Sequence, residues 1–178
     1  MTDICLIFEV HQPLRLNRNF HRDIRSKQKI ATEDLFGLYF DNGLNKYIFD
    51  RVAQRCYFPT NQVILEQIDI YKRQKKPFKV TYSLSGVFID YCKRWNWDLL
   101  DSFRKLAETG CVEFLDQTYC HSLSSLYSME RTEFIEQVRM HRQTMKDLFN
   151  HEPKVFENTE LLYNCLLYTS PSPRDRQK

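Results

Sequence analysis

The sequence predicts an α/β protein, a parallel sheet with helical cover. Two observations lead there. Strand-like and helix-like stretches alternate in the order strand, helices, strand, helices, strand, helix, strand, the mark of parallel βαβ units. The strands also read as short apolar runs that turn polar at their carboxyl ends, where sheets of this kind carry their chemistry. An open doubly wound sheet or a barrel satisfies this order equally. A complete eightfold barrel takes about 250 residues, so the strands read within residues 1–164 make about half of one. No glycine-rich turn follows the first strand, which argues against a dinucleotide site.

Residues 4–10, ICLIFEV, read as the first strand, with Ile4, Leu6, Phe8 and Val10 on one face and Cys5, Ile7, Glu9 and His11 on the other. Its near-continuous apolar start predicts a strand covered on both faces. It stops at Pro13, since proline cannot pair in a central strand. Residues 14–45 read as a long, polar, mostly irregular connection, a length common for functional loops. A helix over 44–57 places Tyr47, Ile48, Val52 and Cys56 near helical spacing and breaks at Pro59. Asn61 then caps a helix striped by Ile64, Leu65, Ile68 and Tyr71, closed by Pro77.

Residues 78–84 form the second strand and 87–95 a helical segment. Asn96 caps a further helix to Thr109, burying Leu99, Leu100, Phe103, Leu106 and Ala107, with Gly110 as its left-handed terminator. Residues 111–115 make the third strand, where Glu113, Leu115 and Gln117 share a face. Ser128 caps a long helix to Phe149, with Phe134, Ile135, Val138, Met145 and Leu148 as core. Residues 154–164, KVFENTELLYN, form the fourth strand, whose alternation turns Phe156, Asn158 and Glu160 one way.

A chain of 178 residues is the size of one domain. Its net charge of +3 comes from scattered basic residues and makes no case for nucleic acid. Six cysteines without a CxxC pair fit free, buried thiols in a reducing compartment. The opening MTDICLIFEV has no basic leader and too short an apolar run for a signal or a span. The expectation is a soluble cytoplasmic protein that does not engage a membrane.

The strand ends carry His11 and Gln12, then Ser83 and Ser85, then the stretch from Glu113 to His121, then Glu160. Taken alone, Glu160 reads as an ordinary polar strand end. Together these groups line one cleft, and their hydrogen-bonding inventory suits sugar hydroxyls. Tyr82, Tyr119, Trp95 and Trp97 are candidate platforms for sugar rings, although each reads first as core. His141 and His151 bracket a helix end and read as solvated. A metal-dependent deacetylase would need an Asp and two His, commonly as an HxxxH pair, and the sequence has no such pair. No metal or cofactor is expected.

HQP at 11–13, GCVE at 110–113, YCHSL at 119–123 and NTEL at 158–161 resemble, in this order, the first three signature regions of glycoside hydrolase family 57. The likeness is strongest to its α-amylase-like members. It implies an incomplete (β/α)7 barrel, TIM-like, of which this chain is the amino-terminal half, acting on α-glucans with retention of configuration. It makes Glu160 the catalytic nucleophile and sets His11, Gln12, Glu113 and His121 along the substrate site. The partner it implies is an α-glucan or oligosaccharide. The family's general acid is an Asp on a later region, so the resemblance implies that this chain is inactive by itself. Glu157 and Cys120 depart from the pattern, standing where a basic and an aromatic residue are usual. Hydrolysis, glucan transfer and branching remain open, as does a non-catalytic glucan-binding module.

From Cys165 the character changes. CLLYTSPSPRDRQK has no apolar periodicity, and Cys165 to Asp175 resembles a reading frame of a sequencing-library adaptor. Residues 1–164 are therefore read as a partial catalytic barrel and 165–178 as a non-native or disordered tail. The frame would then have been cut while chain remained.

Overall fold

The computed structural model of the chain describes residues 4–25, 30–76, 78–126 and 131–163. These divide into two compact units, one drawn from residues 4–11, 79–86, 110–126 and 131–163, the other from 12–25, 30–76, 78 and 87–109.

The first unit holds the sheet. Strands β1 (Ile7–Val10), β2 (Val80–Leu84) and β3 (Val112–Phe114) pair in that order, all parallel. The register aligns Ile7 with Thr81 and Thr81 with Glu113, then Phe8 with Tyr82 and Tyr82 with Phe114. Alternation therefore splits the sheet into two unlike faces. Phe8, Val10, Val80, Tyr82, Leu84, Val112 and Phe114 make the apolar face. Its rings run Phe8 to Tyr82 (5.2 Å), Tyr82 to Phe114 (6.3 Å) and Phe114 to Phe149 (5.1 Å), which brings in helix α7 (Thr132–Phe149). Ile7, Glu9, Thr81, Ser83 and Glu113 make the other face, which is mostly polar.

Helix α7 buries Gln137, His141, Met145 and Phe149, one residue per turn at spacing four. Ile135, read as core, is 51% exposed. His141, read as solvated, is fully buried. The reason is its partners: His141 Nε2 donates to the Leu84 carbonyl at 2.8 Å and Nδ1 faces Asp116 Oδ1 at 3.1 Å. Arg142 Nε donates to the other Asp116 oxygen. Asn150 ends the helix in the left-handed conformation (φ 48°). Ser128, the cap expected for this helix, lies outside the described residues, as do Pro77 and the tail from 164 onward.

The second unit is helical: α1 (Phe20–Arg25), α2 (Thr32–Tyr39), α3 (Asn42–Val52), α4 (Phe58–Arg73), α5 (Gly86–Trp95, all but its first residue) and α6 (Trp97–Glu108). The expected irregular connection over 14–45 therefore contains two short helices and the start of a third. Pro59 does not break the chain into separate helices. A π-helical turn, Ala53–Tyr57, joins α3 to α4, and the Phe58 amide donates to Ala53. The wider turn absorbs the missing Pro59 N–H. Asn61 is no cap; it is buried and donates to Ser102 Oγ at 2.8 Å. Asn96 does cap α6, accepting from the Leu99 amide, and Gly110 takes φ 67°. Phe49, Tyr57, Phe88, Phe103, Ile68, Leu99, Leu100 and Leu106 fill the core.

Two further expectations fail on exposure. The first strand was to be covered on both faces, but Ile4 is 84% and Ile7 53% exposed, because among the described residues β1 pairs on one side only. The thiols were to be buried, but Cys5, Cys56 and Cys120 are exposed, and only Cys92 among the described cysteines is fully enclosed. Burial pushes the Cys92 thiol far above its ordinary pKa, and the thiolate is the reactive form. Brief iodoacetamide treatment of native protein is therefore expected to label Cys5, Cys56 and Cys120 and spare Cys92, read by peptide mass spectrometry. Early labelling of Cys92 would contradict this packing.

Candidate active site

The site forms on the polar sheet face. Glu9 and Ser83 share a register row, and His11 and Ser85 continue the same face beyond the strand ends. His11 Nδ1 meets Ser85 Oγ at 2.8 Å. Gln117 follows β3, and its Nε2 donates to Ser83 Oγ at 2.8 Å. That bond orients the amide, so Gln117 Oε1 accepts from His121 Nδ1 at 3.1 Å. The other nitrogen of His121, Nε2, lies 3.1 Å from Glu9 Oε1 and 3.8 Å from Glu160 Oε1. The His121 ring stacks on His11 with centroids 4.2 Å apart. Two imidazoles and two carboxylates thus converge at the carboxyl ends of the strands.

The segment bearing Glu160 is not the regular strand expected from its sequence. It makes one parallel rung, Asp116 with Phe156. The Asp116 amide donates to the Val155 carbonyl and the Glu157 amide to the Asp116 carbonyl, each at 2.8 Å. Then side chains take over from the ladder. Buried Asn158 donates through Nδ2 to Ser125 Oγ at 2.8 Å and to the Leu162 carbonyl. Thr159 Oγ1 pairs with Thr118 Oγ1 at 3.0 Å. These anchors hold a 3₁₀ turn, Thr159–Leu161, in which Glu160 and Leu161 have φ of 56° and 54°. His121 is left-handed too, at φ 52°. Such residues cost on the order of 1–3 kcal/mol each and cluster at functional sites. Here the strain turns the Glu160 side chain outward, 70% exposed beside His121.

Of the residues expected in the site, His11, His121 and Glu160 come together. Glu113 stands one row nearer the amino end of the sheet, level with Thr81, and its carboxylate is 3.8 Å from His151 Nε2. Gln12 is buried in the helical unit, donating to Tyr57 Oη at 2.8 Å and accepting from Arg15 at 3.3 Å. Burial pushes the Tyr57 hydroxyl pKa up, and the Gln12 bond opposes that. Tyr82 is core, 1% exposed. The Tyr119 ring lies on Gly86, where a Cβ would meet Tyr119 Cγ at 2.4 Å. Gly86→Ala is accordingly expected to lower unfolding stability by about 1–3 kcal/mol, measured by urea denaturation; an unchanged midpoint would show that the ring yields freely.

Glu9 is the site residue that the sequence reading left unassigned. The signal was present, since alternation set it on the His11 face. Asp116 and His141 were missed because nothing in the local pattern pairs them. Among the described residues no three His, Cys, Asp or Glu are grouped to hold a metal ion.

A parallel α/β sheet with titratable groups gathered at the carboxyl ends of its strands has the layout of one face of a β/α barrel. The chain belongs to glycosyl hydrolase family 57, whose family profile matches residues 5–168. It is 46% identical over 161 residues to a protein of Methanocaldococcus jannaschii named “Putative alpha-amylase”, covering 90% of this chain and 32% of that one. The chain thus spans about a third of that relative's length. Its fold is that of part of a 4-α-glucanotransferase from Thermococcus litoralis (TM-score 0.63, 16% identity, 92% of this chain, 20% of that one). It also matches a family 57 branching enzyme from Thermococcus kodakaraensis (TM-score 0.53, 15% identity, 88% of this chain, 32% of that one). The three strands and their helices are therefore a partial (β/α)7 barrel. No described helix is long and apolar enough to cross a membrane.

Proposed function

We propose that the whole protein is a retaining glycosidase acting on α-glucans, by hydrolysis or 4-α-glucan transfer, with Glu160 as its nucleophile. The observation that carries this reading is the exposed Glu160 carboxylate on a strained, anchored turn beside His121, in a family 57 chain. Retaining hydrolysis needs a carboxylate to attack the anomeric carbon and a second carboxyl group about 5–5.5 Å away as acid. On this reading the acid lies outside this sequence, and 165–178 is a non-native or disordered tail. On this reading His11 and His121 line the substrate site, and Gln12 and Glu113 are assigned to it by the family motifs alone. Free thiols on the surface fit a cytoplasmic setting. The test is α-glucan turnover by the full-length protein, measured on amylose by reducing ends and chain-length shift. Turnover that disappears in Glu160→Gln supports the reading; absence of turnover in the parent protein, or its survival in Glu160→Gln, overturns it.

A further inference from the structure

We infer that Glu9 is a positioning residue of this site: it accepts the Nε2 hydrogen bond of His121 and so leaves the Glu160 carboxylate free to attack. The inference rests on the reading of Glu160 as nucleophile. Three observations carry it. Gln117, oriented by Ser83, accepts from Nδ1 and fixes which edge of the ring meets the carboxylates. Nε2 is at hydrogen-bonding distance from Glu9 Oε1 (3.1 Å) and beyond it from Glu160 Oε1 (3.8 Å). His121 is 10% exposed, so water competes little for that proton, whereas Glu9 is 49% exposed.

The two ring nitrogens of His121 thus face two different acceptors, Gln117 Oε1 and Glu9 Oε1. The groups facing it are Glu9, Glu160, Gln117 and the stacked His11 ring. A hydrogen bond from Nε2 directly to the nucleophile would stabilise the ground state, and such stabilisation is lost as the reaction proceeds. In glycosylation a Glu160 oxygen bonds to the anomeric carbon while the glycosidic C–O bond breaks. The leaving oxygen takes its proton from a carboxylic acid of the whole protein. Glu160 becomes a neutral ester, so one negative charge beside His121 disappears. Glu9 keeps Nε2 engaged through that change. Without it, His121 pairs with Glu160 at rest and loses that partner on the way to the ester.

The experiment compares Glu9→Gln, Glu9→Asp and Glu160→Gln in the full-length protein, with kcat and KM on amylose and thermal melting. Glu9→Gln is expected to lower kcat by about tenfold or more, with KM within about twofold and an unchanged melting temperature. Glu9→Asp, which restores the charge, should recover a substantial part of the loss. Wild-type kcat in Glu9→Gln, a loss confined to KM, or a loss that tracks melting and is not recovered in Glu9→Asp overturns the inference while Glu160→Gln remains inactive. Full turnover in Glu160→Gln instead removes the nucleophile reading, and the role of Glu9 falls with it.

Discussion

Glu160→Gln in the full-length protein is expected to lower kcat on α-glucans by at least about a thousandfold, a barrier increase of about 4 kcal/mol. Affinity for the glucan should change by less than about threefold, since the amide keeps the shape and removes only the attacking charge. The structure makes this a clean comparison. Glu160 is 70% exposed, and the turn that carries it is held by Asn158 and Thr159, not by Glu160 itself. Melting should therefore not move, and lost turnover can be assigned to chemistry. Reducing-end release and isothermal titration with a malto-oligosaccharide measure the two quantities separately. Equal turnover in the variant would show that another group attacks the anomeric carbon, whereas binding without turnover in both proteins would favour a glucan-binding module.

The second large effect concerns stability. Asp116→Ala is expected to lower the unfolding free energy by about 1–3 kcal/mol, because it leaves the fully buried His141 Nδ1 without its hydrogen-bond partner. Asp116 is 1% exposed and His141 fully buried. Asp116 binds both His141 and Arg142 on α7, and His141 also donates to Leu84 at the end of β2. The same residue's backbone makes the rung to Val155 and Glu157 that leads into the Glu160 turn. Since domains are stable by only about 5–15 kcal/mol, the loss should appear as a large shift of the urea midpoint. A shift worth less than about 1 kcal/mol would mean that this pair is not an anchor.

Local sequence alone determined several features. Asn96 caps α6 and Gly110 terminates it, because a cap and a left-handed residue act within one helical turn. The alternation of β1 set Glu9 with His11, and that of β3 set Gln117 with Glu113, before any partner was known. The family motifs marked His11, His121 and Glu160, which the fold brings together.

Other features were decided by tertiary structure. KVFENTELLYN has the alternation of a strand, but it makes one rung and then turns. Ser125 and Thr118, distant in sequence, offer Asn158 and Thr159 better partners than a ladder does. His141 looks like a solvated helix residue until Leu84 and Asp116 are placed against it. Pro59 looks like a break until a π-helical turn absorbs its missing donor. Short-range geometry follows from residue type and spacing. Burial and hydrogen-bond partners depend on what the folded chain sets opposite each side chain, and that is where Glu9 acquired its neighbour.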